Sequence, residues 1–168
     1  MKTARLTTWG RWSLFWTLFI GIGAVGGAIG MWVNPDLMGR QELLPWMQVL
    51  PFPEVFFTSF VWPAVFLFVI IGLNQLFAGS LVLAHVKLAP LVVFGSGLTL
   101  IAWTIIQFVV FPLNPLTTAY FCFGLAEAIL AGIWFVKERW GIANAVTKAA
   151  VDIVTGAGLN ADPRRFSP

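Results

Sequence analysis

The sequence is short of charge. Only 10% of its 168 residues are Asp, Glu, Lys or Arg, against about 25% in soluble domains, and its mean hydropathy is +0.88. A water-soluble core of this size cannot hide so many apolar side chains, so the implied solvent is a bilayer. Cysteine is scarce too. Cys122 stands alone, which excludes an internal disulfide and any CxxC metal or redox site. The single histidine, His85, is too little for structural zinc or bis-His haem; beside Lys87, it is expected in a loop or at the interface. The net charge of +3 comes from basic residues that flank apolar runs, which argues against a nucleic-acid partner. No HExxH, GxSxG, paired intramembrane acids or phosphate loop is visible, so neither a catalytic residue nor a cofactor is expected.

Apolar and aromatic residues are abundant: 59% hydrophobic, with 16 Phe and 9 Trp. Long apolar windows cover residues 12–33, 57–83, 90–111 and 116–135. Each is near or above the ~20 residues a helix needs to cross the hydrocarbon. The runs are continuous rather than alternating, which excludes barrel strands. The first run is too long for a signal-peptide core and lacks a small-x-small cleavage site, so it is expected to stay as a helix. The fold expected is all-α: a membrane-embedded four-helix bundle, up-down-up-down.

Lys2, Arg5, Arg11, Lys87, Lys137, Arg139 and Lys148 fall on one side of this arrangement, and Arg40 on the other. That asymmetry predicts a multi-pass protein of the inner (plasma) membrane with both termini cytoplasmic. The chain divides into a bundle, residues 1–140, and a cytoplasmic part, 141–168. In the latter, Ile142, Val146, Ala149, Ala150 and Ile153 recur at helical spacing, with Lys148 and Asp152 as an i,i+4 pair, predicting a short surface helix. "LNADPRRFSP" then reads as a disordered tail. Residues 34–55 carry Pro35, Pro45, Pro51 and Pro53, which exclude one long helix. With Leu43, Leu44, Trp46, Met47, Val49 and Leu50 the segment is amphiphilic, either an interfacial lid or a greasy loop.

Two helix faces stand out. In the first span, Gly23, Gly26, Gly27 and Gly30 fall within about 100° of one another, a smooth face for packing in the bundle or against a second copy. In the fourth, Thr117, Tyr120, Gly124, Glu127, Ala128 and Ala131 share a stripe that should point at protein. Glu127 then lies near the middle of the hydrocarbon. Burial penalises its charged form, so the expected resting form is a neutral acid able both to donate and to accept hydrogen bonds. Its candidate partners by depth are Asn74 in the second span and Trp103 in the third, with Gln107 and Tyr120 further out. Pro63 and Asn74 share one face of the second span; Ser96, Trp103 and Gln107 share one face of the third. Pro63 should kink or curve its helix.

An intramembrane acid is by default a functional group, and interhelical polar glue is the plain alternative. The reading is of an accessory subunit or a binder of a hydrophobic small molecule, in contact with membrane lipid and with a homodimer or larger membrane complex possible. A proton-coupled exporter working as a homodimer is the alternative. The stretches "FFTSFVWPAVFLFVIIGLNQLFAG" (57–80) and "AYFCFGLAEAILAG" (119–132) resemble small bacterial four-helix membrane proteins, loosely of the DoxX-like type. That resemblance implies a four-helix bundle and accessory roles beside redox or secretion systems. The absence of a CxxC pair speaks against thiol chemistry.

Overall fold

The computed structural model describes residues 6–34 and 40–154. Among these there is helix and no strand. Four helices are long and apolar enough to cross a membrane: Thr8–Val33, Val61–Leu83, Ala89–Val110 and Pro115–Val154. They are what a multi-pass membrane protein requires. Large apolar side chains such as Phe15, Phe19, Ile22, Ile105 and Ile129 remain exposed on them, a surface that hydrocarbon solvates and water does not.

Local chemistry sets the helix ends. α1 (Thr8–Val33) begins before residue 12 because the Thr7 hydroxyl accepts the Gly10 N–H at 3.2 Å, an N-cap. Residues 40–56 form α2 (Arg40–Met47) and α3 (Pro53–Phe56). The second span starts only at Val61, later than the sequence suggests. It comprises α4 (Val61–Phe66), a π-helical turn (Leu67–Leu73) and α5 (Asn74–Leu83). Pro63 sits in the first turn of α4, where its missing N–H breaks no intrahelical bond. The irregularity of this span is therefore the π turn, not the proline. α5 closes on a Schellman motif: the Val86 N–H donates to Leu81 O and the His85 N–H to Val82 O, each at 3.1 Å. His85 fills the left-handed position (φ 55°) usually taken by glycine. α6 (Ala89–Val110) follows. Asn114 then caps α7 (Pro115–Val154) by accepting the Thr117 N–H on Oδ1 at 2.8 Å.

α7 runs on past residue 135, where the apolar window of the fourth span ends. Its forty residues take in the segment expected as a separate surface helix. Between 136 and 154 there is no proline and one glycine, Gly141, among several alanines, so nothing stops the helix. The chain forms two compact units, Met1–Trp134 and Phe135–Pro168. In the second, residues 139–154 are exposed throughout, and the Arg139 guanidinium lies over the Phe135 ring at 5.1 Å. The tail with Arg164 and Arg165, the loop residues Pro35 and Asp36, and Lys2 and Arg5 lie outside the described residues.

The first unit packs in three apolar layers. Ala78, Val82, Ala89, Val93, Ala131 and Trp134 form one. Ile20, Ala24, Ile71 and Leu100, flanked by Trp16, Trp103, Tyr120 and Phe123, form the next. In the third, Met47 from α2 is buried with Phe60 and Val110, and Met31, Leu44, Leu50 and Phe57 pack around them. The proline-rich segment thus packs over one end of the helices. Gln48 Nε2 straps it down by donating to Phe57 O at 3.2 Å.

Small residues let the spans approach. A Cβ on Gly97 would lie 2.8 Å from the Ala128 backbone N, and one on Gly124 would lie 3.2 Å from Gly97 O. α6 and α7 therefore meet backbone to backbone, as close packing in membranes favours. In α1 the face that enters the bundle is Gly10, Ser13, Thr17, Ile20, Gly21, Ala24 and Ala28. Of the expected glycine face, Gly23, Gly26 and Gly27 are exposed and Gly30 is half-buried. Tyr120 Oη and a Leu67 methyl reach toward Gly23 and Gly27, while nothing lies within 4 Å of a Cβ on Gly26. On the buried face Gly10, Ser13, Gly21, Ala24 and Ala28 are small and let α1 approach its neighbours closely.

Candidate functional site: a polar layer around Glu127

Between the first two apolar layers each of the four spans contributes a buried polar side chain. Thr17 falls between Leu14 and Ile20, Gln75 between Ile71 and Ala78, Ser96 between Val93 and Leu100, and Glu127 between Phe123 and Ala131. Thr17, Gln75 and Glu127 are wholly inaccessible and Ser96 nearly so. Thr17 turns its hydroxyl back to Leu14 O at 3.0 Å, which leaves the acid and the amides as the groups that join helices. Gln75 Nε2 donates to Glu127 Oε2 at 2.7 Å. Ser96 Oγ donates to Asn74 Oδ1 at 3.4 Å, near the limit of a useful bond.

The partner of Glu127 is thus Gln75, not Asn74. In an α-helix each residue turns about 100°, so Pro63 and Asn74 would share a face. Ala64 and Gln75, also eleven residues apart, would share a neighbouring face; both are fully buried, while Asn74 is half-buried. The π turn Leu67–Leu73 ends directly before the two amides.

The other expected partners lie elsewhere. Trp103 is half-buried and packs against the Ile20–Ile71–Leu100 layer, as does Tyr120, whose ring stands edge-on to Phe123 at 5.8 Å. Gln107 is half-buried. The fully buried polar group on this stretch of α6 is Thr104, which donates to its own helix at Leu100 O and Ile101 O. Trp103 stands about 100° from it and so at the edge of the buried face. Gly124 and Ala128 pack against Gly97 and Ile101. Sequence reasoning missed Ser13, Thr17, Gln75 and Gly97. Ser13 and Thr17 were within reach: they are in phase with Gly21, Ala24 and Ala28.

Three buried oxygens or hydroxyls in this region have no hydrogen-bond partner: Glu127 Oε1, Gln75 Oε1 and Ser13 Oγ. The first two belong to the pair itself. A buried acceptor without a donor costs about 1–3 kcal/mol. A single added donor could relieve both: a proton on Glu127 Oε1 shared with Gln75 Oε1, or a hydroxyl or amine of a bound molecule. Among the described residues no group of three His, Cys, Asp or Glu could hold a metal ion. Compared with protein-family models, curated proteins and solved structures, the chain matches none.

Proposed function

We propose that the chain is a small integral membrane protein that binds a hydrophobic molecule bearing one hydroxyl or amine, alone or as an accessory subunit of a larger membrane complex. One observation carries this reading: Glu127 and Gln75, locked together at 2.7 Å, each keep a buried oxygen that lacks a donor. An apolar ligand would be at home among the surrounding layers, and its donor would engage those two oxygens. In this reading the bundle runs up-down-up-down in the plasma membrane with both termini cytoplasmic, and lipid covers its outside. The DoxX-like resemblance fits it.

Native mass spectrometry of gently extracted protein tests the reading. The wild type should carry a bound molecule that the double variant Gln75→Leu/Glu127→Leu loses while keeping its helical content. Identical bound species in both would refute it. The same pair of oxygens also supports a second reading, proton-coupled export, because a proton is the smallest donor that completes the pair. Four spans would then work as a homodimer, for which the open surface at Gly26 offers close approach. Reconstituted vesicles that show no proton-dependent flux of any solute in a broad panel would dispose of it.

A further inference from the structure

The segment that packs over one end of the helices is apolar on two sides. Leu44, Met47, Leu50 and Phe57 take part in the third layer of the bundle. Leu43, Trp46, Val49, Phe52 and Val55 recur at every third residue and are exposed. No charged residue occurs from Leu43 to Pro53, so this second row is a poor surface for water. Its neighbours indicate what covers it. The Phe56 ring packs on Trp62 at 5.3 Å and on Phe66 at 5.8 Å, and Val61 and Trp62 are exposed on the second span. The segment therefore adjoins the surface of that span that lipid solvates. Trp32 belongs to the same level: its ring lies 5.9 Å from that of Phe68, and its Nε1 donates to Val61 O at 3.5 Å. Three exposed indoles, Trp32, Trp46 and Trp62, thus stand at one end of the bundle, as the headgroup boundary favours. A second copy of the chain fits the row less well. Helices meet in membranes through small residues, and the row has none.

We propose that residues 43–55 lie in the headgroup–acyl boundary of the adjoining leaflet, with Trp46, Val49 and Phe52 set into lipid while Met47 and Leu50 hold the bundle. An interfacial helix ordinarily turns a polar face to water; here the face opposite the lipid is spent on the third layer, which is why the segment is apolar on both sides. It brackets the bilayer to the bundle whatever Glu127 binds.

Spin labels on single cysteines test this in a Cys122→Ser background, with the protein in phosphatidylcholine vesicles. Val49 and Phe52 are 73% and 69% exposed and Glu54 is exposed beside them, so labels there leave the core intact. Labels at Val49→Cys and Phe52→Cys should collide several-fold more with oxygen, which dissolves in acyl chains, than with a water-soluble nickel chelate. The label at Glu54→Cys should show the reverse. Ready access of the chelate to positions 49 and 52 would overturn the proposal. Shielding of both from either reagent would also overturn it, because protein would then cover the row. The unlabelled chain gives a second readout. Lipids brominated high on the acyl chain should quench a larger share of tryptophan emission in the wild type than in Trp46→Phe, and equal quenching would equally overturn it.

Discussion

The second and fourth spans supply the two halves of the same hydrogen bond, yet they are built differently. α7 runs forty residues without interruption, and its buried set, Thr117, Gly124, Glu127, Ala128 and Ala131, keeps one helical phase. The second span is interrupted midway by the π turn at Leu67–Leu73. Hydrophobicity decides that both are inside a membrane. It does not decide which way a given side chain points, because that depends on the backbone count upstream.

The largest effect that would break this comparison lies where α7 meets α6. Gly97→Leu should destabilise the bundle by about 3 kcal/mol or more, since even a Cβ meets the Ala128 backbone at 2.8 Å and overpacking costs about 1–3 kcal/mol before backbone shifts are added. Unfolding in detergent or bicelles measures it, with Gly26→Ala as the control; no atom lies within 4 Å of that Cβ, so stability should hold. Next comes the pair itself. Glu127→Leu leaves the whole Gln75 amide buried without a partner and should cost about 1–3 kcal/mol. Adding Gln75→Leu should recover part of that loss, because two apolar groups replace two polar ones. A double variant less stable than the single one would count against the pair as drawn.

Much of the fold is legible in the sequence because apolar length is a one-dimensional property. The four windows, the broken segment 34–55 and the inward stripe on the fourth span all follow from it. The partner of Glu127 does not. The two amides are adjacent in sequence, so depth alone does not choose between them, and the π turn in "LFVIIGL" has no proline or polar residue to announce it. α1 carries two smooth faces, and the one with Ser13, Thr17, Gly21, Ala24 and Ala28 enters the bundle; the sequence has no feature that ranks it above the glycine face. The expected break before the surface helix is missing because falling hydropathy marks where an apolar window stops, whereas a helix needs a breaker to stop.

Smaller effects test the ends of the two spans. Asn114→Ala removes the cap on the Thr117 N–H and should cost about 1 kcal/mol, seen as a lower unfolding midpoint. His85→Gly should raise that midpoint by the equivalent of about 0.5–1 kcal/mol, since a left-handed residue without a Cβ relieves strain. No change in either would mean these caps are not formed in the bilayer.

The most direct measurement is a pair of double-mutant cycles by unfolding in bicelles, Gln75 with Glu127 and Asn74 with Glu127, each residue replaced by Leu. The first cycle should give a coupling between about 0.6 and 1.7 kcal/mol, the range of interhelical hydrogen bonds in membranes, and the second should give almost none while Gln75 is present. A larger coupling to Asn74 than to Gln75 would mean that Gln75 is not the partner of Glu127, and the site as described would be wrong.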